Sequence, residues 1–201
     1  MRRRALAGAA AVLVASSLSA CLFRARPDRT RFYTLAAAAD APVHLGSGLS
    51  VGLGPVTIPG YLGRPGLPTR LDATRIEYAE RHRWAEPLRK QLVRTLSEDL
   101  SQALGGTHVL EYPWKSGAPI DVAVRVDVRA FETDAAGTAM LTADWNLRNP
   151  ASGTVVSQGK SVITEPARGP GWDPAVAALS RALAQLSREL AVAIVAESRR
   201  R

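Results

Sequence analysis

The feature that most constrains the fold is a run of alternating apolar and charged residues from 121 to 129. Its valines, Val122, Val124, Val126 and Val128, alternate with Asp121, Arg125, Asp127 and Arg129. Because successive side chains of a strand point to opposite faces, this period of two predicts a strand with one buried face. A second alternating run from Ala139 to Leu147 and a turn over 149–153 predict two further antiparallel strands, the last over 154–164.

Two helices with apolar stripes are predicted to cover this sheet. The first carries five leucines at four-residue spacing and ends at two glycines: Leu88, Leu92, Leu96, Leu100, Leu104, Gly105 and Gly106. The second begins near Asp173 and carries Val176, Leu179, Leu183, Leu186, Leu190 and Ile194. Elements with one apolar face each predict an α+β fold, a two-layer sandwich of a mainly antiparallel sheet and two amphipathic helices.

The first twenty residues have the three parts of a bacterial export signal. Arginines 2–4 precede an apolar run from Ala5 to about Val14, which is too short to span a bilayer, and small residues follow. Leu18, Ser19, Ala20 and Cys21 match a lipobox. We therefore expect residues 1–20 to be a removed signal peptide and Cys21 to carry acyl chains such as palmitate. The alternatives are a plain secretory signal cut after Ala20, or a free thiol.

The lipid would make this a membrane-anchored protein. A cysteine with three acyl chains is held firmly, whereas a single chain binds reversibly. Residues 21–31 are predicted to be the lipidated cysteine and a tether, and residues 32–201 a single α+β domain. Residue 22 is leucine and not the aspartate that retains lipoproteins at the inner membrane. The predicted location is the outer membrane, on its periplasmic face.

Composition and spacing argue against several classes of function. Removal of residues 1–20 leaves 23 basic and 18 acidic residues, scattered except for Arg199 to Arg201, so no nucleic-acid partner is predicted. His44, His82 and His108 lack metal-ligand spacing. The sequence contains no nucleophile elbow, P-loop or complete dinucleotide fingerprint. We expect no enzymatic activity, no metal, and no cofactor beyond the covalent lipid on Cys21.

Several segments, in order along nearly the whole mature chain, resemble the ABC-type transport auxiliary lipoproteins. They are Phe32–Leu35, Val51–Val56, Ile58–Pro65, Thr69–Arg70, Arg83–Leu88, Tyr112–Trp114, Asp121–Phe131 and Ala143–Trp145. The Pro- and Gly-rich segment and the Arg-Trp-Ala-Glu-Pro-Leu segment are the most specific. Gly63 departs from the pattern, because Asp or Asn is more usual there.

This resemblance implies a non-catalytic subunit of an MCE-type lipid transport system that supports envelope integrity. The implied partners are an MCE-domain protein, the inner-membrane components of the same transporter and membrane lipid. A homo-oligomeric ring would match a ring-shaped channel, although no residue pattern encodes one. Two alternatives remain at this stage, a stand-alone lipid or amphiphile carrier with a cavity under the long loop, and an outer-membrane assembly factor.

The long loop is the predicted docking element. Tyr61, Leu62 and Arg64 lie between Pro59 and Pro65, with Arg70 shortly after, and aromatic and arginine side chains are frequent interface hot spots. In the alternative interpretation Tyr61 and Leu62 fold inward, and Arg64 or Arg70 pairs with Glu77 or Glu86.

Three further residues are predicted to be structural. Trp84 precedes the leucine-rich helix and is expected in the core, and Pro87 is expected in the first turn of that helix. Trp145 is in register with the apolar positions of its strand and is expected in the core.

Overall fold

The strand that begins at Val122 is the centre of the sheet in a computed structural model, which describes residues 28–38, 49–115 and 117–200. Cys21, the signal peptide and most of the tether lie outside the described residues. The strands are β1 (Arg31–Tyr33), β2 (Val51–Thr57), β3 (Gly66–Arg70), β4 (Ile76–Trp84), β5 (Val109–Glu111), β6 (Val122–Asp134), β7 (Ala139–Arg148) and β8 (Val155–Glu165). The helices are α1 (Leu88–Ala103), α2 (Trp172–Ser198) and a short 3-10 helix (Gly60–Gly63).

Strand β6 pairs along both of its edges. One edge pairs antiparallel with β7, which pairs antiparallel with β8. On the other edge, β2 pairs parallel with residues 122–127 and β3 pairs parallel with Thr133 and Asp134. Strands β2 and β3 therefore lie end to end along the same edge, and the 3-10 helix connects them.

The remaining strands extend the sheet on both sides. Strand β4 pairs antiparallel with β3, and β1 pairs parallel with β4. Strand β5 pairs parallel with β2. The α+β class with two helices is confirmed, and the long strands β6 to β8 are antiparallel as predicted. The short strands β1, β2, β3 and β5 add parallel pairings, so the eight-stranded sheet is mixed.

Helices α1 and α2 lie on one face of the sheet and enclose the core. All five predicted leucines of α1 are almost fully buried, because their four-residue spacing keeps them on one side of the helix. They pack with the inward residues of β6, including Val124 and Phe131, and with the stripe of α2. Gly171 is the N-cap residue of α2, and Asp173 lies in the first turn of that helix. The negative charge of Asp173 interacts favourably with the helix dipole there.

The predicted structural residues occupy different environments. Trp84 is buried, with its ring centroid 6.4 Å from that of Phe131. Pro87 is exposed and directly precedes α1, where the missing N–H leaves no helical hydrogen bond unmade. Trp145 is only partly buried, and its Nε1 donates a hydrogen bond to Ser161 Oγ at 3.0 Å.

The segment that follows β1 is held by side chains of both helices. Leu35 N donates to Gln91 Oε1 at 2.8 Å, and Ala38 N donates to Asp99 Oδ1 at 2.8 Å, both from α1. Ala36 N donates to Ser180 Oγ of α2 at 3.3 Å. Because these bonds replace strand pairing for the backbone, residues 35–38 are fixed to the helical layer. The segment directly after β1 is thus held firmly in the fold.

Neither α1 nor α2 could cross a bilayer, and the same holds for every helix within the described ranges.

Gly159 lies opposite Trp145 in the pairing of β7 with β8, and a Cβ atom there would overlap the indole ring. We predict that Gly159→Ala lowers the free energy of unfolding by about 1–3 kcal/mol, because the ring must leave its packed position. Gly63→Ala is the control, since no atom lies within 4 Å of its added methyl group. Urea unfolding of the full-length protein measures the free energy of unfolding of both variants. An unchanged value for Gly159→Ala would contradict this packing.

Candidate functional site

The predicted docking loop is folded against the edge of β6. Leu62 is buried in the core, so its side chain offers no surface to a partner. Tyr61 is partly buried, and Tyr61 O accepts a hydrogen bond from Tyr78 Oη at 3.0 Å. Arg64 is exposed, with its guanidinium 4.8 Å from the centroid of the Tyr78 ring. Of the three loop residues, Arg64 alone is positioned to meet another molecule.

A buried carboxylate explains the inward orientation of Tyr61 and Arg70. Glu132 of β6 is 0% exposed; Arg70 Nε donates to its Oε1, and Tyr61 Oη donates to its Oε2 at 2.8 Å. The Glu132 hydrogen bond is the main cause of a raised Arg70 pKa, and burial, followed by Glu132, raises the pKa of Tyr61. The carboxylate is therefore neutralised and hydrogen-bonded, as a buried charge must be.

This network corrects one detail of the inward alternative, which named Glu77 or Glu86 as the partner of an arginine. The partner is Glu132, whereas Glu86 pairs with Lys90 at 3.2 Å and Arg94 at 3.7 Å. Glu132 could not be chosen from sequence, because a bulge in β6 between Val128 and Ala130 changes which residues face the loop. The docking role of Arg64 remains a prediction.

The face of the sheet opposite the helices carries a broad open groove of about 570 Å³. At its centre Arg129 pairs with Asp127 and Asp144, each at 2.8 Å, and Thr57 Oγ1 donates to Asp127 at 2.7 Å. The Asp144 hydrogen bond, followed by the charge of Asp127, raises the pKa of Arg129. These three charges satisfy one another, so the charge that the described lining leaves unpaired is Arg125.

A second groove of about 290 Å³ lies further along the same face, and we call it the aromatic–arginine groove. It is lined by Gly54, Tyr112, Trp114, Arg125 and Arg148, among others. Tyr112 is 53% exposed, and its ring meets that of Trp114 edge-on at 5.2 Å between centroids. An added Cβ at Gly54, whose φ is +123°, would lie 2.6 Å from the Cβ of Tyr112. Glycine at this position therefore allows the aromatic pair to lie against β2.

The aromatic–arginine groove is electropositive. Its described lining includes Arg125 and Arg148 and no acidic residue. Arg148 donates to Asn146 Oδ1 at 2.9 Å and to Gly153 O at 3.1 Å, which fixes its position. Arg125 is exposed and makes no side-chain hydrogen bond or ion pair with any residue that the structure describes. An exposed tyrosine ring beside an unpaired guanidinium favours an acidic, partly apolar binding partner.

Sequence reasoning did not bring these four side chains together. Tyr112 and Trp114 entered only through the family resemblance, and the arginines only as polar positions of strands. The pairing of β6 with β7 places Arg148 opposite Ala123, two residues from Arg125 on the same face. That register, together with the small side chain of Ala123, was the available signal. The position of Trp114 could not be predicted from the sequence, because it depends on the conformation of a loop.

The groups needed for metal binding are dispersed. In the parts of the chain that the structure describes, no three His, Cys, Asp or Glu side chains form a cluster that would hold a metal ion.

Comparisons with known proteins agree with one another. A family model described as "ABC-type transport auxiliary lipoprotein component" matches residues 33–191. A crystal structure of a DUF330-family protein from Xanthomonas campestris aligns with a TM-score of 0.70 at 18% identity, covering 85% of this chain and 98% of that chain. A crystal structure of an uncharacterized protein aligns with a TM-score of 0.64 at 24% identity, covering 77% of this chain and 99% of that chain. These two likenesses support the fold, and no match was found among curated proteins.

The Glu132 network generates a prediction about stability. Arg70→Met should lower the free energy of unfolding by about 3–5 kcal/mol, because it leaves a buried carboxylate without its counter-charge. The double variant Arg70→Met with Glu132→Leu should lose clearly less, since no charge is left buried. Chemical denaturation of the unmodified protein, the single variant and the double variant measures their free energies of unfolding. Equal losses in the single and double variants would contradict a neutralising role for Arg70.

Proposed function

We propose that this chain, which belongs to the ABC-type transport auxiliary lipoprotein family, is a membrane-anchored, non-catalytic adaptor that docks its transporter through the aromatic–arginine groove. The observation that carries the proposal is a pair of arginines with no acidic neighbour in the lining, beside the exposed ring of Tyr112 and the half-buried ring of Trp114. Such surfaces supply hot spots in protein interfaces, where aromatic and arginine anchors contribute most of the affinity.

The positions of the groove and the tether suit an adaptor. The chain enters the sheet at β1, which is separated from β6 by β4 and β3, a lateral distance of about 14 Å. Phe32 pairs with Arg83, which lies opposite Gly66 of β3. Gly66 is three residues before Thr69, the partner of Thr133, so Phe32 is level with a point about five residues, or roughly 16 Å, beyond Arg125 along β6. The groove and the tether are therefore apart both across and along the sheet. A domain held at one end keeps the other end accessible.

The finer assignment rests on the resemblance of the sequence to its family and on the lipobox. We assign the anchor to acylated Cys21, the location to the periplasmic face of the outer membrane, and the partner to an MCE-domain protein of a lipid transport system. The partner's contact surface should be acidic, with an apolar portion, because it must complement Arg125, Arg148 and the rings of Tyr112 and Trp114. A homo-oligomeric ring would repeat this groove around a channel axis.

The packing favours an adaptor over a stand-alone carrier. A carrier for an acyl chain needs an apolar cavity, and the space between the sheet and the helices is filled by side chains such as Leu92, Leu96 and Phe131, each 0% exposed. The carrier alternative placed a cavity beneath the Pro- and Gly-rich segment, and that space is filled by Leu62 and the Glu132 network.

The adaptor proposal predicts the outcome of co-purification. Tagged full-length protein from detergent-solubilised envelopes of its own host should bring down an MCE-domain protein. Arg125→Gln and Tyr112→Ala should each reduce the recovered partner by about tenfold, the effect of losing about 1.4 kcal/mol of a hot-spot contact. Partner abundance can be measured by quantitative mass spectrometry against the bait.

Two controls make this result interpretable. Lys160→Gln removes an exposed cation from β8, outside the lining of the aromatic–arginine groove, and should leave recovery unchanged. Cys21→Ala should remove the protein from the membrane fraction. Recovery of a partner that is equally insensitive to Arg125→Gln, Tyr112→Ala and Lys160→Gln would move the docking surface elsewhere. Recovery of no transporter component would reject the adaptor.

A further inference from the structure

The strand at which the chain enters the fold carries an unusually exposed aromatic ring. Phe32 of β1 is 65% exposed. Its backbone partner in β4 is Arg83, and Arg31 pairs with His82. Since residues paired across strands share a face, Phe32 and Arg83 lie side by side, and Arg81, two residues earlier in β4, points the same way. An aromatic ring flanked by arginines is therefore presented to solvent.

More arginine than acidic residues surround this ring. Arg29 is exposed in the entering segment, and Arg81 and Arg83 are exposed in β4. Arg31 lies on the opposite side of β1, with Tyr33 and His82. The nearby acids are Asp28 and Glu80. Hydrogen bonds from Thr30, and to a lesser extent the charges of Arg83 and Arg81, lower the pKa of Asp28, which places its carboxylate near these two arginines. We call Arg29, Phe32, Arg81 and Arg83 the entry patch.

The entry patch rests on a firm support. On the opposite side of β1, Tyr33 Oη and His82 Nδ1 are hydrogen-bonded at 2.9 Å, and the His82 ring lies 5.7 Å from the rings of both Tyr33 and Trp172. The segment after β1 is fixed to both helices. The direction in which Phe32 points is thus set by the fold.

Chain length keeps the entry patch near the membrane. Cys21 is seven residues before Asp28, so the fully extended chain between them spans at most about 25 Å. If Cys21 carries the anchor, as the proposed function requires, the entry patch is the part of the domain that is tied closest to the lipid headgroups.

We propose that the entry patch binds the anionic phospholipid surface of the anchoring membrane and so orients the domain. Arg29, Arg81 and Arg83 meet headgroup phosphates, and Phe32 inserts at the level of the interface, where aromatic rings are favoured. The acyl chains hold the protein at the membrane, and the entry patch fixes its angle.

Fluorescence from a site-specific label tests the contact in the full-length acylated protein. Phe32→Cys carries a polarity-sensitive dye, and Val162→Cys is the matched control, because Val162 is 69% exposed on β8. With Cys21 acylated, each introduced thiol is the sole target for labelling. The proteins are reconstituted in vesicles of phosphatidylethanolamine with phosphatidylglycerol, and in vesicles of phosphatidylcholine alone.

In the anionic vesicles, the dye at position 32 should be shielded from aqueous iodide and quenched by a lipid-borne quencher, whereas the dye at 162 should stay accessible. Arg81→Gln with Arg83→Gln should reverse the shielding at 32, because each arginine contributes about fivefold to partitioning onto an anionic surface. Both arginines are exposed, so the fold should be retained, and circular dichroism can check this.

Two results would overturn the proposal. One is equal iodide access at positions 32 and 162 in anionic vesicles. The other is equal shielding at 32 in both kinds of vesicle, which would mean that the tether alone brings the patch close. Loss of the protein from the vesicles would overturn the anchor at Cys21 together with this proposal. None of these results depends on a protein partner, so they are distinguishable from failure of the docking proposal.

Discussion

The two edges of β6 determine the arrangement of the rest of the structure. One edge pairs with β7 throughout, while the other is divided between β2 and β3, which leaves an interval occupied by the 3-10 helix. In that interval the buried carboxylate of Glu132 is neutralised by Arg70 and hydrogen-bonded by Tyr61. Because an unpaired buried charge costs several kcal/mol, this network ties the Pro- and Gly-rich segment to the sheet. The most distinctive segment of the sequence is thus mainly a structural element.

The same division of β6 separates two surfaces that each combine aromatic and arginine side chains. The aromatic–arginine groove lies where β2 pairs with β6, and the entry patch lies beyond β3 and β4 on β1. The groove combines a glycine-supported aromatic pair with Arg125 and Arg148. The entry patch combines one exposed ring with arginines close to the predicted lipid. In our account one surface faces the transporter and the other faces the membrane.

Periodicity predicted the parts of the fold that depend on local pattern. The five leucines of α1 and the valines of β6 are buried as expected, because a period of 3.6 or 2 alone assigns a face. It did not predict β5 or the parallel pairing of β1, because three residues carry too little pattern and parallel neighbours come from distant parts of the chain. Leu62 was assigned to a docking surface because a loop rich in Pro and Gly reads as exposed. The pairing of Arg70 with Glu132 spans 62 residues and has no local signal.

Photo-cross-linking in intact cells tests most directly the claim that the two surfaces face different partners. A benzophenone amino acid replaces either Tyr112 or Phe32 in the full-length protein, and the adducts are identified by mass spectrometry after irradiation. The account predicts a protein adduct with a transporter component from position 112 and phospholipid adducts from position 32. Adducts of one protein from position 32, with none from position 112, would contradict it.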